Sequence, residues 1–174
     1  MVAKKKTAEV KANDQVESTT TAEVNSGNLE EANRIISKYV GWSAGAGAIP
    51  FPVWDIVGIA TVQVKLIREL NALYGVQFSE DRARHIITIL AGSLSPQMLF
   101  GVTAVTLFKF VPLVGHALSA VTLPLLSSAS AFAVGKVIVS HLEKGGDLSN
   151  FDAKGAKGDF QAAFQEGQQK ASAT

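Results

Sequence analysis

The stretch IITILAGSLSPQMLFGVTAVTLFKFVPLVGHALSAVTLPLLSSASAFAVG, residues 86–135, carries a single formal charge, Lys109. On either side of that lysine, residues 86–108 and 110–135 form runs of 23 and 26 residues without a formal charge. Each run exceeds the ~20 apolar residues that a helix needs to cross ~30 Å of hydrocarbon. A lone charge at membrane depth costs about 2.5–3.5 kcal/mol. We therefore expect a central apolar helical hairpin in a membrane, with its turn between Lys109 and Gly115.

The same stretch also has features that fit a bilayer poorly. Hydroxyl residues recur along it, and Pro96, Pro112 and Pro124 each remove a backbone donor. Lipid offers no replacement for the interrupted backbone pairing, so neighbouring helices would have to supply it. A soluble helical domain that covers its apolar face by oligomerisation therefore stays open as an alternative. Alkaline carbonate would release such a domain from membranes but would leave an inserted hairpin in place.

Helical periodicity dominates residues 28–146, and no sustained alternation of apolar and polar residues indicates a strand. Asn28 is a suitable N-cap, and Glu30 and Glu31 follow in the first turn, where acids favour the helix dipole. Further helices are predicted from Val53 to Gly75, from Ser79 to Gly92, from Gln97 to about Phe110, and up to Lys144. The sequence therefore predicts an all-α fold, a membrane-associated helical bundle whose module spans residues 28–146.

Both ends of the chain are polar. Residues 1–27 contain no aromatic residue and few apolar ones, which predicts a disordered basic and polar tail. Residues 147–174 are rich in Gly, Lys, Gln and Ala, and we expect a flexible tail there as well. Phe160 and Phe164, four residues apart, would share one face of a short amphipathic helix. We expect that helix to fray.

Small residues recur at helical spacing in two places. Gly41 and Gly45 are one turn apart, and Ser127, Ala131 and Gly135 lie four apart on one helix face. In lipid, helices associate by close approach through small residues, because burial of apolar surface supplies little drive there. We expect both sets to form helix-packing interfaces and the protein to be a homo-oligomer.

Residues with the chemistry of catalytic or metal sites are few and scattered. There is no cysteine, and His85, His116 and His141 do not have the spacing of a local metal motif. His116 and Asp55 lie among apolar residues; we interpret both as helix-start residues, with a proton sensor and a functional carboxylate as the alternatives. The sequence has no phosphate-binding loop and no nucleophile elbow. A formal net charge of +1 gives the chain no overall field that would recruit nucleic acid, so we expect it to bind none. Because these motifs are missing, we also expect no cofactor, no metal and no catalysis.

Several stretches are similar to one known family. The YcjF-type family of uncharacterised bacterial proteins resembles this chain at AGAIPFPVWDI (46–56), QVKLIREL (63–70), YG (74–75), VPLVG (111–115), AVGK (133–136) and HLE (141–143). The resemblance implies a bacterial inner-membrane protein of unassigned activity. Relatives of this module are sometimes joined to, or encoded with, Era-like or dynamin-like GTPase domains. This chain lacks a GTPase segment, so the implied GTPase partner would act in trans.

These observations favour a non-enzymatic membrane scaffold or adaptor. Lysines precede and follow the apolar region, so an even number of crossings with both termini in the cytoplasm suits the positive-inside rule. We expect Lys65, Arg68 and Glu69 to form an exposed surface for a cytoplasmic partner. A pore or channel component is an alternative, suggested by the Ser, Thr and His residues along the hairpin. The soluble oligomeric interaction domain is the other alternative.

Overall fold

The computed structural model describes residues 26–45, 54–95, 98 and 115–172. The described ranges contain no strand and form five helices: α1 at residues 26–45, α2 at Trp54–Leu73, α3 at Glu80–Ala91, α4 at Gly115–Glu143 and α5 at Lys157–Ser172. The predicted all-α fold class is confirmed. The hairpin turn near Lys109 and most of the predicted N-terminal tail lie outside the described residues. Within the described part, α1 begins two residues before the predicted cap, Asn28.

α3 shows how local sequence specifies a helix in this chain. Ser79 precedes it in an extended conformation, and Glu80 and Asp81 fill its first turn, where their charges favour the N-terminal dipole. Gly75, in the turn before α3, has a φ of 67°, a left-handed value that glycine adopts without strain. One face of α3 is buried at the three- and four-residue spacing of a helix: Ala83, Ile86, Ile87 and Leu90.

α4 is the central helix. Its 29 residues are apolar around the whole circumference, and such a helix must be covered on all sides. It packs most extensively against α5, then against α2, and at fewer places against α3. A Cβ atom on Gly135 would lie 2.5 Å from Ile36 Cγ1, so α1 also lies directly against α4.

Contacts along α4 fix the directions of its neighbours α1 and α2. Ile36 contacts Gly135, and the next turn of α1 accepts a hydrogen bond from Ser128 Oγ at 3.3 Å, so α1 runs antiparallel to α4. α2 runs parallel to α4. The Gln63 side chain of α2 donates to Ser130 Oγ at 2.7 Å, and at the other end Tyr74 lies near Glu143.

α5 runs antiparallel to α4. At one end, His141 of α4 and Asp159 of α5 line the same cavity. At the other end, a Cβ on Gly167 would lie 2.9 Å from Ala129 Cα. The glycine therefore allows the two helices to approach closely at this point.

The C-terminal segment corrects a prediction. Phe160 and Phe164 on α5 are both 0% exposed, and their ring centroids lie 6.3 Å apart. The expectation of a flexible tail is wrong for residues 147–172, and the helix that the phenylalanine spacing offered is present. The polar composition of this segment suggested a flexible tail. Two aromatic rings nevertheless bury enough surface against α4 to order it.

A compact loop joins α4 to α5. Gly145, just beyond α4, has a φ of 75° and reverses the chain. The His141 ring then holds the loop, since its Nε2 lies 3.0 Å from Asp147 O and 2.8 Å from Asn150 Oδ1. Phe151 packs against the same ring with centroids 5.0 Å apart. These contacts fix the loop so that α5 can pack against α4.

Candidate functional site

Formal charges stop at one position on each of four helices. On α1 and α5, the last charged residues toward the C-terminal end of the helix are Lys38 and Lys170. On α2 and α4, the first lysines from the N-terminal end are Lys65 and Lys136. We call these four residues the boundary lysines. Beyond them lie the C-terminal residues of α1 and α5 and the N-terminal residues of α2 and α4. The described residues of these four helices beyond the boundary lysines carry no formal charge except Asp55, at the start of α2.

Contacts between helices place the four boundary lysines at a common level along the axis of the bundle. Lys38 Nζ lies 2.7 Å from Glu69 Oε1, one turn from the boundary lysine of α2. The contact of Ile36 with Gly135 lies within two residues of the boundary lysines of α1 and α4. Glu166 joins the boundary lysines of α4 and α5. Because α1 and α5 run antiparallel to α2 and α4, the bundle has one charged end and one end whose described residues carry Asp55 as their single formal charge, which we call the uncharged end.

An aromatic and charged cluster marks the boundary on α1. Glu69 accepts two contacts from Lys38 Nζ, at 2.7 and 2.9 Å, and a hydrogen bond from the Tyr39 hydroxyl. The Lys38 ammonium, together with Tyr39, holds the pKa of Glu69 below its usual value. Lys38 Nζ also lies 5.5 Å from the centre of the Trp42 ring, which packs edge-on against Tyr39. Trp42 is 54% exposed.

A second cluster marks the boundary between α4 and α5. Glu166 pairs with Lys170 at 2.8 Å and with Lys136 at 3.3 Å, and these cations lower the pKa of its carboxyl, Lys170 having the larger effect. Both ammonium groups lie over the Phe132 ring, 4.6 and 5.5 Å from its centroid. Cation–π contact and ion pairing therefore coincide on this side of the bundle as they do around Lys38.

Buried hydroxyls lie where the uncharged end begins. Ser43 on α1 and Ser127 on α4 are buried, and neither hydroxyl has a hydrogen-bond partner within the described chain. Neighbouring polar groups are paired, since Gln63 donates to Ser130 and Ser128 donates to a carbonyl of α1. An unpaired buried hydroxyl costs roughly 1–3 kcal/mol, so this polar seam is an unusual feature in the core of the bundle.

The chain matches the family described as "Domain of unknown function (DUF697)" over residues 12–141. It belongs to the DUF697 family. It is also 35% identical over 136 residues to Magnetosome membrane protein 22 of Magnetospirillum gryphiswaldense, a stretch covering 78% of this chain and 70% of that protein. No solved structure matches the chain. The family match supports the resemblance found in the sequence at the level of DUF697, and the narrower YcjF-type likeness stays a prediction.

The DUF697 match includes α1 to α4 almost completely and ends before α5. The packed phenylalanines of α5 therefore lie outside the matched region, as does the boundary lysine Lys170. The other three boundary lysines lie inside it. In this chain the charge boundary thus lies mainly within the region that matches DUF697, and α5 extends it.

The two predicted small-residue sets have different environments. Gly41 and Gly45 are exposed, and a Cβ on either would meet no atom within 4 Å. In contrast, Ser127, Ala131 and Gly135 are buried within one chain, Gly135 against α1. The prediction that this second set joins two copies is wrong for the described fold, because its face is already occupied by helices of the same molecule. The first set remains open for an interface.

The predicted partner surface on α2 is exposed in part. Lys65 and Arg68 are exposed, but Arg68 lies 3.4 Å from Glu80 on α3 and over the Phe78 ring. Glu69 is occupied by Lys38 and Tyr39. The three side chains therefore lie on the charged end, and Arg68 and Glu69 also join α2 to its neighbours.

Two further observations concern metal binding and membrane crossing. The described ranges hold no group of three or more His, Asp or Glu side chains arranged to bind a metal. Within those ranges one helical segment, Pro124–Glu143, is long and apolar enough to cross a membrane, with a mean hydropathy of 1.4, but 61% of it is buried inside the bundle. The core helix of a soluble protein has the same properties, so this segment alone is weak evidence for a membrane span.

The boundary clusters predict a dependence of stability on acid. Glu69 and Glu166 have pKa values below the unfolded value of about 4.3. Their contribution is therefore fully present above that pH and is lost as the pH falls through their folded pKa values. Water screens both groups, so each contributes about 0.2–1 kcal/mol. We expect the melting temperature to fall between pH 5 and pH 3, and to fall less in Glu166→Gln, as measured by circular dichroism.

Proposed function

We propose that this protein is a non-enzymatic, membrane-associated scaffold whose charged end lies in water and whose uncharged end lies in the bilayer. The observation that carries the proposal is the common level of the boundary lysines on four helices. A surface in water is normally charged on all sides, whereas a charge at the bilayer centre costs about 2.5–3.5 kcal/mol on insertion scales. A membrane surface would explain why charged residues end at the same level on four helices. Packing in a soluble bundle does not require such a common level.

The relative supports the same assignment. Magnetosome membrane protein 22 is named as a membrane protein, and the shared stretch covers most of both chains. We extend that location to this protein as part of the proposal. The proposed insertion does not depend on α4 alone, because the boundary is defined by α1, α2 and α5 as well.

Helix directions support a topology in which the start of α1 and the end of α4 lie on one side, while α5 runs back to the level of the boundary lysines. α1 leads into the uncharged end, and α2 and α4 lead out of it, so α1 begins and α4 ends on the charged side. The boundary lysines face that side, and the positive-inside rule favours the cytoplasm for it. We propose the bacterial inner membrane, with the charged end in the cytoplasm.

The scaffold would use two surfaces. On the charged end, Lys65 and its neighbours would bind a cytoplasmic protein, for which the YcjF-type resemblance suggests a GTPase acting in trans. On the uncharged end, the open face of Gly41 and Gly45 would pack against a second copy in lipid. A pull-down from native membranes that recovers no nucleotide-binding protein would remove the GTPase from this proposal.

Single cysteines on α1 test which end enters the bilayer. The natural chain has no cysteine, so labelling has no background. Asn33 and Gly45 are both exposed on α1, and twelve residues of helix separate them by about 18 Å. We expect a membrane-impermeant maleimide to label Asn33→Cys in sealed inside-out vesicles and to leave Gly45→Cys unlabelled.

Detergent provides the control for this experiment. After solubilisation both cysteines should react, which shows that Gly45→Cys was shielded by lipid and not by the fold. Equal labelling of both positions in intact vesicles, together with release of the protein by alkaline carbonate, would refute the proposal. It would favour the soluble helical interaction domain instead.

One observation favours a pore or channel component as a second candidate. The unpaired hydroxyls of Ser43 and Ser127 lie buried at the start of the uncharged end, and polar groups along an apolar bundle are how pores conduct water or ions. Purified protein in liposomes should then raise conductance, and Ser127→Ala should lower it. Conductance at background with confirmed insertion would eliminate this candidate.

A further inference from the structure

We infer that the boundary lysines and Trp42 form a belt that binds the phosphates of anionic lipids at the bilayer surface. The inference rests on the proposed membrane insertion and deepens it by naming the lipid chemistry. It uses three features of the boundary level: an exposed tryptophan, lysines lying over aromatic rings, and a concave site beside them.

Trp42 is the first of these features. It is one of the two large apolar side chains exposed in the described chain, at 54%, and it lies one turn beyond Lys38. An indole ring that is exposed to water contributes no free energy of burial. Its flat apolar ring and single N–H donor suit the headgroup region, where tryptophan is enriched in membrane proteins. Its position at the end of the charged part of α1 is where a bilayer surface would meet the bundle.

The lysines are the second feature. Lys38, Lys136 and Lys170 lie over aromatic rings at 4.6–5.5 Å, and their side chains remain 43%, 47% and 62% exposed. This arrangement lets an apolar stem lie along the bundle while the ammonium stays in the headgroup layer. With Lys65, four cations share the level with two carboxylates, Glu69 and Glu166, which leaves an excess of positive charge toward the lipid.

A concave site lies at the same level between α1, α4 and α5. Its volume is about 270 Å³, and it is lined by Ser37, Val40, Ser128, Phe132, Gly167, Lys170 and Ala171. An ammonium, a serine hydroxyl and apolar walls suit a lipid phosphate whose acyl chains continue along the uncharged end. Lysine near an anionic membrane surface favours binding by about 1 kcal/mol, or about fivefold, per residue.

Tryptophan fluorescence tests the belt directly. The chain has two tryptophans, and Trp54→Phe leaves Trp42 as the sole reporter. The full-length variant is placed in vesicles that contain a fixed fraction of either brominated phosphatidylglycerol or brominated phosphatidylcholine, since bromine quenches tryptophan on contact. We expect phosphatidylglycerol to quench Trp42 with an apparent preference of about fivefold or more.

Two matched triple variants, each in the Trp54→Phe background, separate the belt from net charge. The first replaces the boundary lysines Lys65, Lys136 and Lys170 with Gln. The second replaces three exposed lysines on the charged end, Lys144, Lys154 and Lys157, with Gln. The first should lose most of the preference for phosphatidylglycerol and the second should keep it, with circular dichroism confirming that both are folded.

The outcomes distinguish this inference from the proposed function. Equal quenching by both lipids, in a protein that alkaline carbonate fails to release, would overturn the belt and leave membrane insertion standing. Equal loss of preference in the two triple variants would also overturn it, since net charge would then explain the effect. No quenching together with release by carbonate would refute insertion itself.

Discussion

Replacing Gly135 with leucine is expected to lower the free energy of unfolding by about 3 kcal/mol or more, the upper range for an overpacked core. A Cβ at this position would lie 2.5 Å from Ile36 Cγ1 and 2.9 Å from its Cδ1. Ile36 is only 3% exposed, so its side chain has no free space into which to turn. Either α1 is displaced from α4 or the chain does not fold.

Gly135→Ala and Gly45→Ala make a matched pair for this prediction. Both place one methyl group on a helical glycine, and alanine is favoured over glycine within a helix by about 0.5–1 kcal/mol. The Gly45 methyl would meet nothing, so Gly45→Ala should hold or raise stability, while Gly135→Ala should lower it. The measurement is urea unfolding followed by circular dichroism. If Gly135→Ala were as stable as Gly45→Ala, the described contact between α1 and α4 would be wrong.

If Ser127, Ala131 and Gly135 joined two copies of the chain, Gly135→Leu would weaken self-association. The glycine packs against a helix of its own chain, so its loss should first affect folding. Measuring oligomer mass beside the unfolding curve separates the two effects. A variant that unfolds like the natural protein but dissociates would restore the earlier interpretation.

Replacing Phe160 with alanine should cost about 3–5 kcal/mol, the usual range for removing a fully buried phenylalanine. Its side chain is 0% exposed and lies beside Phe164 in the core. The substitution would leave a cavity that the surrounding helices cannot close completely. Gln165→Ala, on an exposed position of the same helix, is the control and should change stability by less than about 0.5 kcal/mol. Thermal unfolding of the two variants measures the difference.

This second prediction also tests the C-terminal segment as a part of the fold. If residues 147–174 were a flexible tail, Phe160→Ala would behave like Gln165→Ala, and removal of the segment would leave the melting temperature unchanged. The described packing requires the opposite result in both experiments.

Helix positions were accessible from the sequence because their signals are local. α3 was predicted from Ser79, two following acids and apolar residues at helical spacing, and each of these needs only the neighbouring residues. The four-residue spacing of Phe160 and Phe164 likewise predicted a short helix. It did not reveal that the helix is buried, because that depends on α4 and on the close approach at Gly167, far away in the sequence.

The candidate site was predictable only in part for the same reason. The absence of charge between Lys109 and Lys136 is visible in the sequence, and it led to the expectation of a membrane. What the sequence could not give was the alignment of four lysines from four helices, which requires the helix directions and the contact between Ile36 and Gly135. The Lys136–Glu166–Lys170 cluster was missed because its members come from two helices, one of which was expected to be a flexible tail.

The position of α4 among its neighbours has a mechanical consequence. Since α4 touches α1, α2, α3 and α5 and is held to α1 by a glycine without spare room, it cannot slide or rotate while the others stay fixed. A force applied by a protein bound at the charged end would thus move the helices together, as one stiff body. Such a body would transmit a displacement from the charged end to the uncharged end without needing a hinge.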